Sequence, residues 1–220
     1  MRGVLIKAES VCLEYMDHGR PIHAVQDVSL EVHSGEFLGI LGPSGSGKSS
    51  LLYLLSGMRT PTRGRVLYKG EDLASKNDGE RARIRLEEFG FVFQLPHLIG
   101  YLSALENVAA GSPDHDLTQE APRLLDELGM QNLHHRRPHE LSGGQKQRVC
   151  VARALAGGRK IIFADEPTAA LDQKTGLSVV QSLIRNKGEG AIVVVTHDPL
   201  MLADADRIIQ LQDGVMVKES

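Results

Sequence analysis

The chain has 220 residues, 41% of them hydrophobic and 24% charged, which fits one compact globular domain with a sizeable core and room for a subdomain. A net charge of −3 gives no overall electrostatic ground for a nucleic-acid partner, although a local basic patch can hide inside that total. The longest apolar runs, AIVVVT and KIIFA, are too short to cross a bilayer, no signal-peptide pattern opens the chain, and Cys12 and Cys150 lack metal-ligand spacing; a reducing cytosol without disulfides is expected, with any membrane role supplied by a partner.

VCLEY and AVQDVSLEV read as half-buried strands, and the apolar EFLGIL runs as a third strand into a glycine-rich loop. Ser49 to Ser56 predicts a helix stopped by Gly57, followed by the turn TPTRG and the short strand RVLY. From about Asp72 to Glu140 the character becomes mostly helical, with the helical period in GERARIRLEE and TQEAPRLLDELG and a short strand, GFVF, separating them. After Ser142 comes a helix whose Val149, Ala152 and Ala156 share one face and which ends at Gly157 and Gly158. KIIFA and AIVVVT are strands with a helix between them, and IIQLQDGVMVKES is a terminal hairpin turning at Asp213 and Gly214. Uninterrupted apolar strands alternating with helices predict an α/β fold whose parallel sheet is covered on both faces. There are no internal repeats, low-complexity tracts or heptads.

Gly42, Pro43, Ser44, Gly45, Ser46, Gly47, Lys48 and Ser49 match G-x-x-x-x-G-K-[ST], followed by Ser50, at the strand-to-helix junction this loop requires. The glycines let backbone N–H groups wrap phosphates, Lys48 places a charge on the outer ones, and Ser49 offers a hydroxyl to Mg²⁺. The competing reading is an ordinary glycine-rich turn, with a chance match at roughly one in a hundred. KIIFADEP delivers Asp165 and Glu166 at a strand's carboxyl end, where ligands sit in open α/β sheets. Asp165 would hold Mg²⁺ and Glu166 would accept the proton of the water attacking the terminal phosphate; alternatively one of them only caps the turn into PTAALD.

His197, after AIVVVT, stands at the same carboxyl edge, within reach of the outer phosphate or the attacking water. His134, His135 and His139 lie in a polar connector without zinc spacing and read as solvated. Gln94 closes GFVF and either reaches Mg²⁺ or is a surface residue at a strand exit; Tyr15 either stacks on a base or fills space beside the sheet. In HELSGGQKQRV, the stretch Ser142, Gly143, Gly144, Gln145 reads as an anion-binding helix start, set against the plainer reading of an N-cap serine. Since Gly42 to Ser49 already enclose one nucleotide's phosphates, the second anion site is expected to face a second copy docked head to tail.

The ordered set GPSGSGKS, FVFQ, LSGGQ, IIFADEP, AALD and VVVTHD resembles the ATP-binding subunit of an ABC transporter over essentially the whole chain. The resemblance implies a P-loop NTPase, RecA-like parallel-sheet core with an N-terminal antiparallel β subdomain and a helical insertion at about residues 95–150, in a single nucleotide-binding domain spanning 1–220. It makes Gln94 the Q-loop glutamine, Ser142 to Gln145 the signature, Asp172 the D-loop aspartate, His197 the switch histidine and Tyr15 the adenine-stacking aromatic. Lys48, Gln94, Glu166 and His197 become the catalytic set, and Ser49, Gln94 and Asp165 the Mg²⁺ set. ATP and Mg²⁺, a second copy and an integral-membrane permease are the implied ligands and partners, with no nucleic acid, on the cytoplasmic face of the membrane. GRPIHAVQDVSLEVHSGEFLGILGPSGSGKSSLL and FVFQLPHLIGYLSALENV are similar to the group serving lipoprotein release, macrolide or peptide efflux, and cell-division signalling. The implied output is ATP-driven export or extraction of an amphipathic substrate; the alternatives are mechanical signalling in a cell-division complex and a soluble ATPase without transport. Three departures stand out: a trimmed segment between Gln94 and Leu141, Ala170 ahead of ALD, and Cys150 in place of a smaller residue. Packing rather than redox chemistry is expected of Cys150.

Overall fold

The computed structural model describes residues 3–17, 19–112 and 114–219. In chain order the elements are β1 (Val4–Asp17), β2 (Arg20–His33), β3 (Phe37–Leu41), α1 (Lys48–Leu55), β4 (Arg63–Tyr68), β5 (Glu71–Asp72), α2 (Asp78–Glu87), β6 (Phe89–Val92), α3 (Ala104–Ala109), α4 (Glu120–Glu127), α5 (Gly143–Leu155), β7 (Ile161–Asp165), α6 (Gln173–Asn186), β8 (Ala191–Thr196), β9 (Arg207–Gln212) and β10 (Val215–Glu219). They divide into two compact units, Met1–Arg85 with Val193–Ser220, and Leu86–Ile192, so that β8 begins in the second and finishes in the first. Among the described residues no helix is long and apolar enough to cross a membrane.

The first unit contains the antiparallel sheet expected at the N-terminus, ordered β2-β1-β4-β5. Its long hairpin is broken by register shifts, and Ser10 and Asp27 take up the left-handed backbone there, at φ 46° and 50°. The Ser10 amide donates to Ser29 Oγ at 2.9 Å, and the Asp27 amide points at Cys12 Sγ at 3.3 Å, so the displaced donors find local acceptors. The strands β10-β9-β3-β8 follow in order, with β3 parallel to β9 from Leu38↔Arg207 to Leu41↔Gln210. The predicted hairpin is present as β9 and β10, turning at Asp213 and Gly214, both with positive φ. Buried Glu36 ties these strands together: it accepts from the His33 amide at 2.6 Å and pairs with Arg207 at 2.9 Å, while Arg207 also reaches Glu219 at 3.0 Å and the Glu31 carbonyl.

In the second unit β6 runs parallel to β7, in register from Phe89↔Ile161 to Val92↔Ala164. Phe89 meets Phe163 edge-on with centroids 5.2 Å apart, and Phe91 stacks on Phe163 at 5.7 Å. Helix α5 lies so close that a Cβ on Gly90 would fall 2.1 Å from the Ala154 carbonyl oxygen; only glycine permits this contact. Arg159 is buried and donates to the Leu86 and Gly111 carbonyls and to Ser112 Oγ, holding two chain segments to one guanidinium. Burial pushes its pKa down.

Two expectations need correction here. The stretch read as mostly helical from Asp72 to Glu140 contains α2, α3 and α4 joined by long irregular segments. Helix α3 went unread, although Ser103 and Glu106 form a full capping box around its start, at 3.2 and 2.7 Å. His134, read as solvated, is partly buried, with Nε2 2.8 Å from Asp126 Oδ1; the acceptor lies eight residues upstream and only the fold brings it close. His135 and His139 are exposed as expected.

The irregular segment ahead of α3 is held by Asn107, which is fully buried. Its Oδ1 accepts from the Ile99 amide at 2.8 Å, and its Nδ2 donates to the carbonyls of Ile99, Leu102 and Ser103 at 3.2, 3.1 and 2.9 Å. One side-chain amide thus satisfies a loop that has no ladder partner. Truncating it strands several buried backbone groups, so Asn107→Ala is expected to lower unfolding free energy by about 2–4 kcal/mol, measured as a reduced urea midpoint at unchanged m-value.

Candidate active site

Strand β3 carries the chain into the loop Gly42 to Ser49, and the glycines there have different reasons. A Cβ on Gly42 would sit 2.2 Å from the Leu211 carbonyl oxygen and 2.6 Å from Ser46 Oγ, while one on Gly47, at φ 95°, would sit 2.1 Å from the Ala24 carbonyl oxygen. Gly45 faces open space and is fixed by its φ of 79° alone. The loop closes on itself: the Ser46 amide donates to the Pro43 carbonyl at 3.2 Å, Lys48 Nζ donates to the same carbonyl at 2.9 Å, and the Gly214 amide donates to the Ser46 carbonyl at 3.0 Å.

Lys48 is only 6% exposed, and among the described residues no carboxylate lies within ion-pair distance of it. Ser46 Oγ is buried with no hydrogen-bond partner. Helix α1 starts at Gly47 with no side-chain cap and no acid in its first turn, which leaves its opening amides to something outside the helix. A buried cation, an orphaned hydroxyl and open helix-start amides make a cradle that fits the phosphates of a nucleotide. Pro43, Ser44 and Gly45 are exposed, and Ser49 and Ser50 half-buried.

Also in the first unit, His197 follows β8 and is exposed. It lines a cavity of about 310 Å³ together with Gly42, Pro43 and Gln210, so the fold does bring it beside the start of the phosphate loop. Tyr15 lies half-exposed on β1, opposite Ile22 of β2.

The second unit holds the remaining candidates. Strand β7 is buried throughout and ends on Asp165, 4% exposed. Glu166 then takes a left-handed backbone at φ 46°, at a cost of about 1–2 kcal/mol for a residue with a Cβ; this turns the chain sharply, and the Ala169 amide donates to the Glu166 carbonyl at 3.1 Å. Two adjacent acids at a strand end, one buried and one on a strained turn, suit a divalent cation and a proton acceptor. Gln94 is exposed just beyond β6. The turn before it is pinned by buried Gln147, whose Nε2 donates to the Phe93 carbonyl at 3.0 Å. Nothing in the sequence distinguishes Gln147 from a surface glutamine.

At the start of α5 the two readings of Ser142 prove compatible. Ser142 is the N-cap: its Oγ accepts from the Gln145 amide at 3.2 Å, and Gln145 Oε1 accepts from the Ser142 amide at 2.8 Å. The side-chain oxygens of Ser142 and Gln145 each accept from the other residue's backbone amide, while the Ser142 hydroxyl, the Gln145 side-chain amide and the backbone amides of Gly143 and Gly144 keep donors at this helix start. Gly143 faces open space, whereas a Cβ on Gly144 would lie 2.9 Å from Leu171 Cδ2 and 3.5 Å from the Ala170 carbonyl oxygen. The second unit thus brings the helix start and the AALD turn together. Asp172 serves as N-cap of α6: it accepts from Thr175 Oγ1 at 2.6 Å and from the Thr175 amide at 3.0 Å, and that hydroxyl and amide hold its carboxyl below the usual range. Cys150 is buried in α5, and burial pushes its thiol pKa up, as packing requires.

Residues 25–169 match the family described as ABC transporter. The chain is 42% identical, over all of its length, to the macrolide export ATP-binding/permease protein MacB of Bradyrhizobium diazoefficiens, and 43% identical, over 98% of its length, to the pyoverdine export ATP-binding/permease protein PvdT of Pseudomonas aeruginosa. In both cases it spans about a third of the relative's length, 34%. Among solved structures, the dimeric MJ0796, a bacterial ABC transporter cassette, superposes with a TM-score of 0.91 at 38% identity, covering 98% of each chain; a dimeric post-hydrolysis state of the same cassette bound to ADP and Pi gives 0.89. With the cassette fold matched end to end and the phosphate loop, the DE pair and the LSGGQ helix start all present, the chain belongs to the ABC transporter family.

Proposed function

We propose that this chain is an ATPase cassette that closes with a second copy around two ATP molecules and drives an integral-membrane permease from the cytoplasmic face of the membrane. The observation that carries this reading is that one chain holds two anion-seeking features, the Gly42–Ser49 loop and the Gly143–Gly144 helix start, while a nucleotide has one triphosphate. A head-to-tail pair gives each helix start a triphosphate held by the other copy.

In that arrangement the loop amides and Lys48 hold the phosphates, and Tyr15 packs against the base. Ser49, Asp165 and Gln94 are the residues that would hold Mg²⁺, which when bound neutralises phosphate charge. Glu166 accepts the proton of the attacking water, and His197 holds the outer phosphate in line. Asp172 acts by fixing the start of α6, and its D-loop role goes through the Ala170–Leu171 turn against Gly144. Triphosphate-dependent contacts favour the closed pair and vanish on hydrolysis, which converts chemistry into motion.

The permease would dock on the segment after Gln94, where Leu95 and Tyr101 are 70% and 76% exposed. Export of a macrolide, peptide, lipoprotein or other amphipathic substrate follows the relatives, which are exporters by name.

Glu166→Gln is expected to retain ATP binding, lose at least about 100-fold in hydrolysis, and accumulate an ATP-dependent dimer visible by light scattering; hydrolysis at the normal rate would remove Glu166 from its role. Gly143→Asp tests the shared site more cleanly than a change at Ser142, which also costs about 1 kcal/mol of capping. Since a Cβ at Gly143 meets nothing within 4 Å, the variant should fold normally and bind ATP as a monomer, yet lose both the ATP-dependent dimer and more than 90% of turnover because its carboxylate confronts a triphosphate. A Gly143→Asp protein that still dimerises with ATP would sink the shared-site reading.

A further inference from the structure

Away from the phosphate loop and the LSGGQ start, the second unit contains a groove of about 380 Å³ where the C-terminal end of α4 meets α5 and the first turns of α6. Leu128, Gly129, Arg148, Lys174, Ser178 and Val179 line most of it. Its walls are fixed in advance. Arg148 Nη1 donates to the Leu128 and Gly129 carbonyls at 3.0 and 3.2 Å, joining α5 to the end of α4, and Asn186 of α6 donates to Glu127 Oε2 at 3.0 Å.

The charges around the groove do not balance. Its one carboxylate, Glu127, is already engaged by Arg123 and Asn186, and the Thr175 hydroxyl is taken by Asp172. Some arginines of the chain find acids, as Arg65 does with Glu9, Arg136 with Glu140 and Arg207 with Glu36. Among the described residues no carboxylate lies within ion-pair distance of Arg148 or Lys174, and the buried Arg148 Nε meets no acceptor. Lys174 and Ser178 are four apart on α6 and so share one face of the helix. A guanidinium, an ammonium and a hydroxyl line the groove together with apolar Leu128 and Val179. That donor set matches a phosphate group, and the volume falls at the small end of the range of about 300–1,000 Å³ typical of small-molecule sites.

We propose that this groove binds the phosphate group of a small phosphate ester, at a site separate from the nucleotide's. The test is a titration of the full chain with glycerol 3-phosphate, and in parallel with inorganic phosphate, followed by amide NMR with ADP and Mg²⁺ already at saturation. Saturable shifts are expected at Gly129, Ser178 and Val179. The amides of Gly45 and Gly47 report separately on the phosphate loop, so a failure of the nucleotide reading shows there and not in the groove. Lys174→Ala should weaken glycerol 3-phosphate binding at least about fivefold. Ser178→Glu, which supplies a carboxylate four residues from Lys174 and beside Arg148, should abolish it and raise the thermal midpoint. The proposal is overturned by the absence of saturable groove shifts, by an unchanged dissociation constant in Lys174→Ala, or by succinate at equal ionic strength matching glycerol 3-phosphate.

Discussion

A buried ammonium that answers to a carbonyl instead of a carboxylate sets the terms of the first unit. Lys48 sits 6% exposed on the opening residue of α1, with the Pro43 carbonyl as its acceptor. Withdrawing a cation from water costs several kcal/mol unless it is paired, and a single neutral acceptor recovers only part of that. The surrounding structure is arranged to bear this cost. The Leu211 and Ala24 carbonyls press on Gly42 and Gly47 so closely that no side chain fits, and the Gly214 amide holds the Ser46 carbonyl from the far side. Strands β2, β3 and β9 therefore converge on the loop as a frame, and the positive potential they confine is the physical basis for binding a polyanion there.

The second unit solves the complementary problem with different means. Its helix start at Gly143 has no acid in the first turn, whereas α3 and α4 each carry one and α2 carries two. The capping box of Ser142 and Gln145 makes the start independently stable, and that stability is what lets Gly143 and Gly144 keep their amides uncommitted.

Much of this could be read in the sequence, and the failures have a common cause. The phosphate loop, the strand ending in Asp165, the hairpin at Asp213 and Gly214, and the α5 face of Val149 and Ala152 all follow from local rules of period, turn chemistry and glycine placement. The roles of Asn107, Arg159 and His134 do not, because their partners are irregular backbone or side chains chosen by the tertiary fold. Arg159 alone gathers Leu86 and the Gly111–Ser112 pair, each dozens of residues from it in the chain. Helix α3 is a different kind of omission: its S-x-x-E box was present in the sequence, but six residues are too few to show a period.

The departure at Ala170 can now be given a physical sense. Its methyl is exposed, and the group that meets the helix start is its backbone carbonyl, 3.5 Å from the Cβ position of Gly144, alongside the Leu171 side chain at 2.9 Å. A contact made through the carbonyl does not depend on whether position 170 carries a serine, a glycine or an alanine. What it does depend on is the absence of a side chain at 144 and the fixed path of the turn. That path is set at one end by the left-handed Glu166 and at the other by Asp172 capping α6. The proposed base and the residues that face the LSGGQ start, the Ala170 carbonyl and the Leu171 side chain, thus lie on one turn whose two ends are fixed by backbone geometry and by a cap.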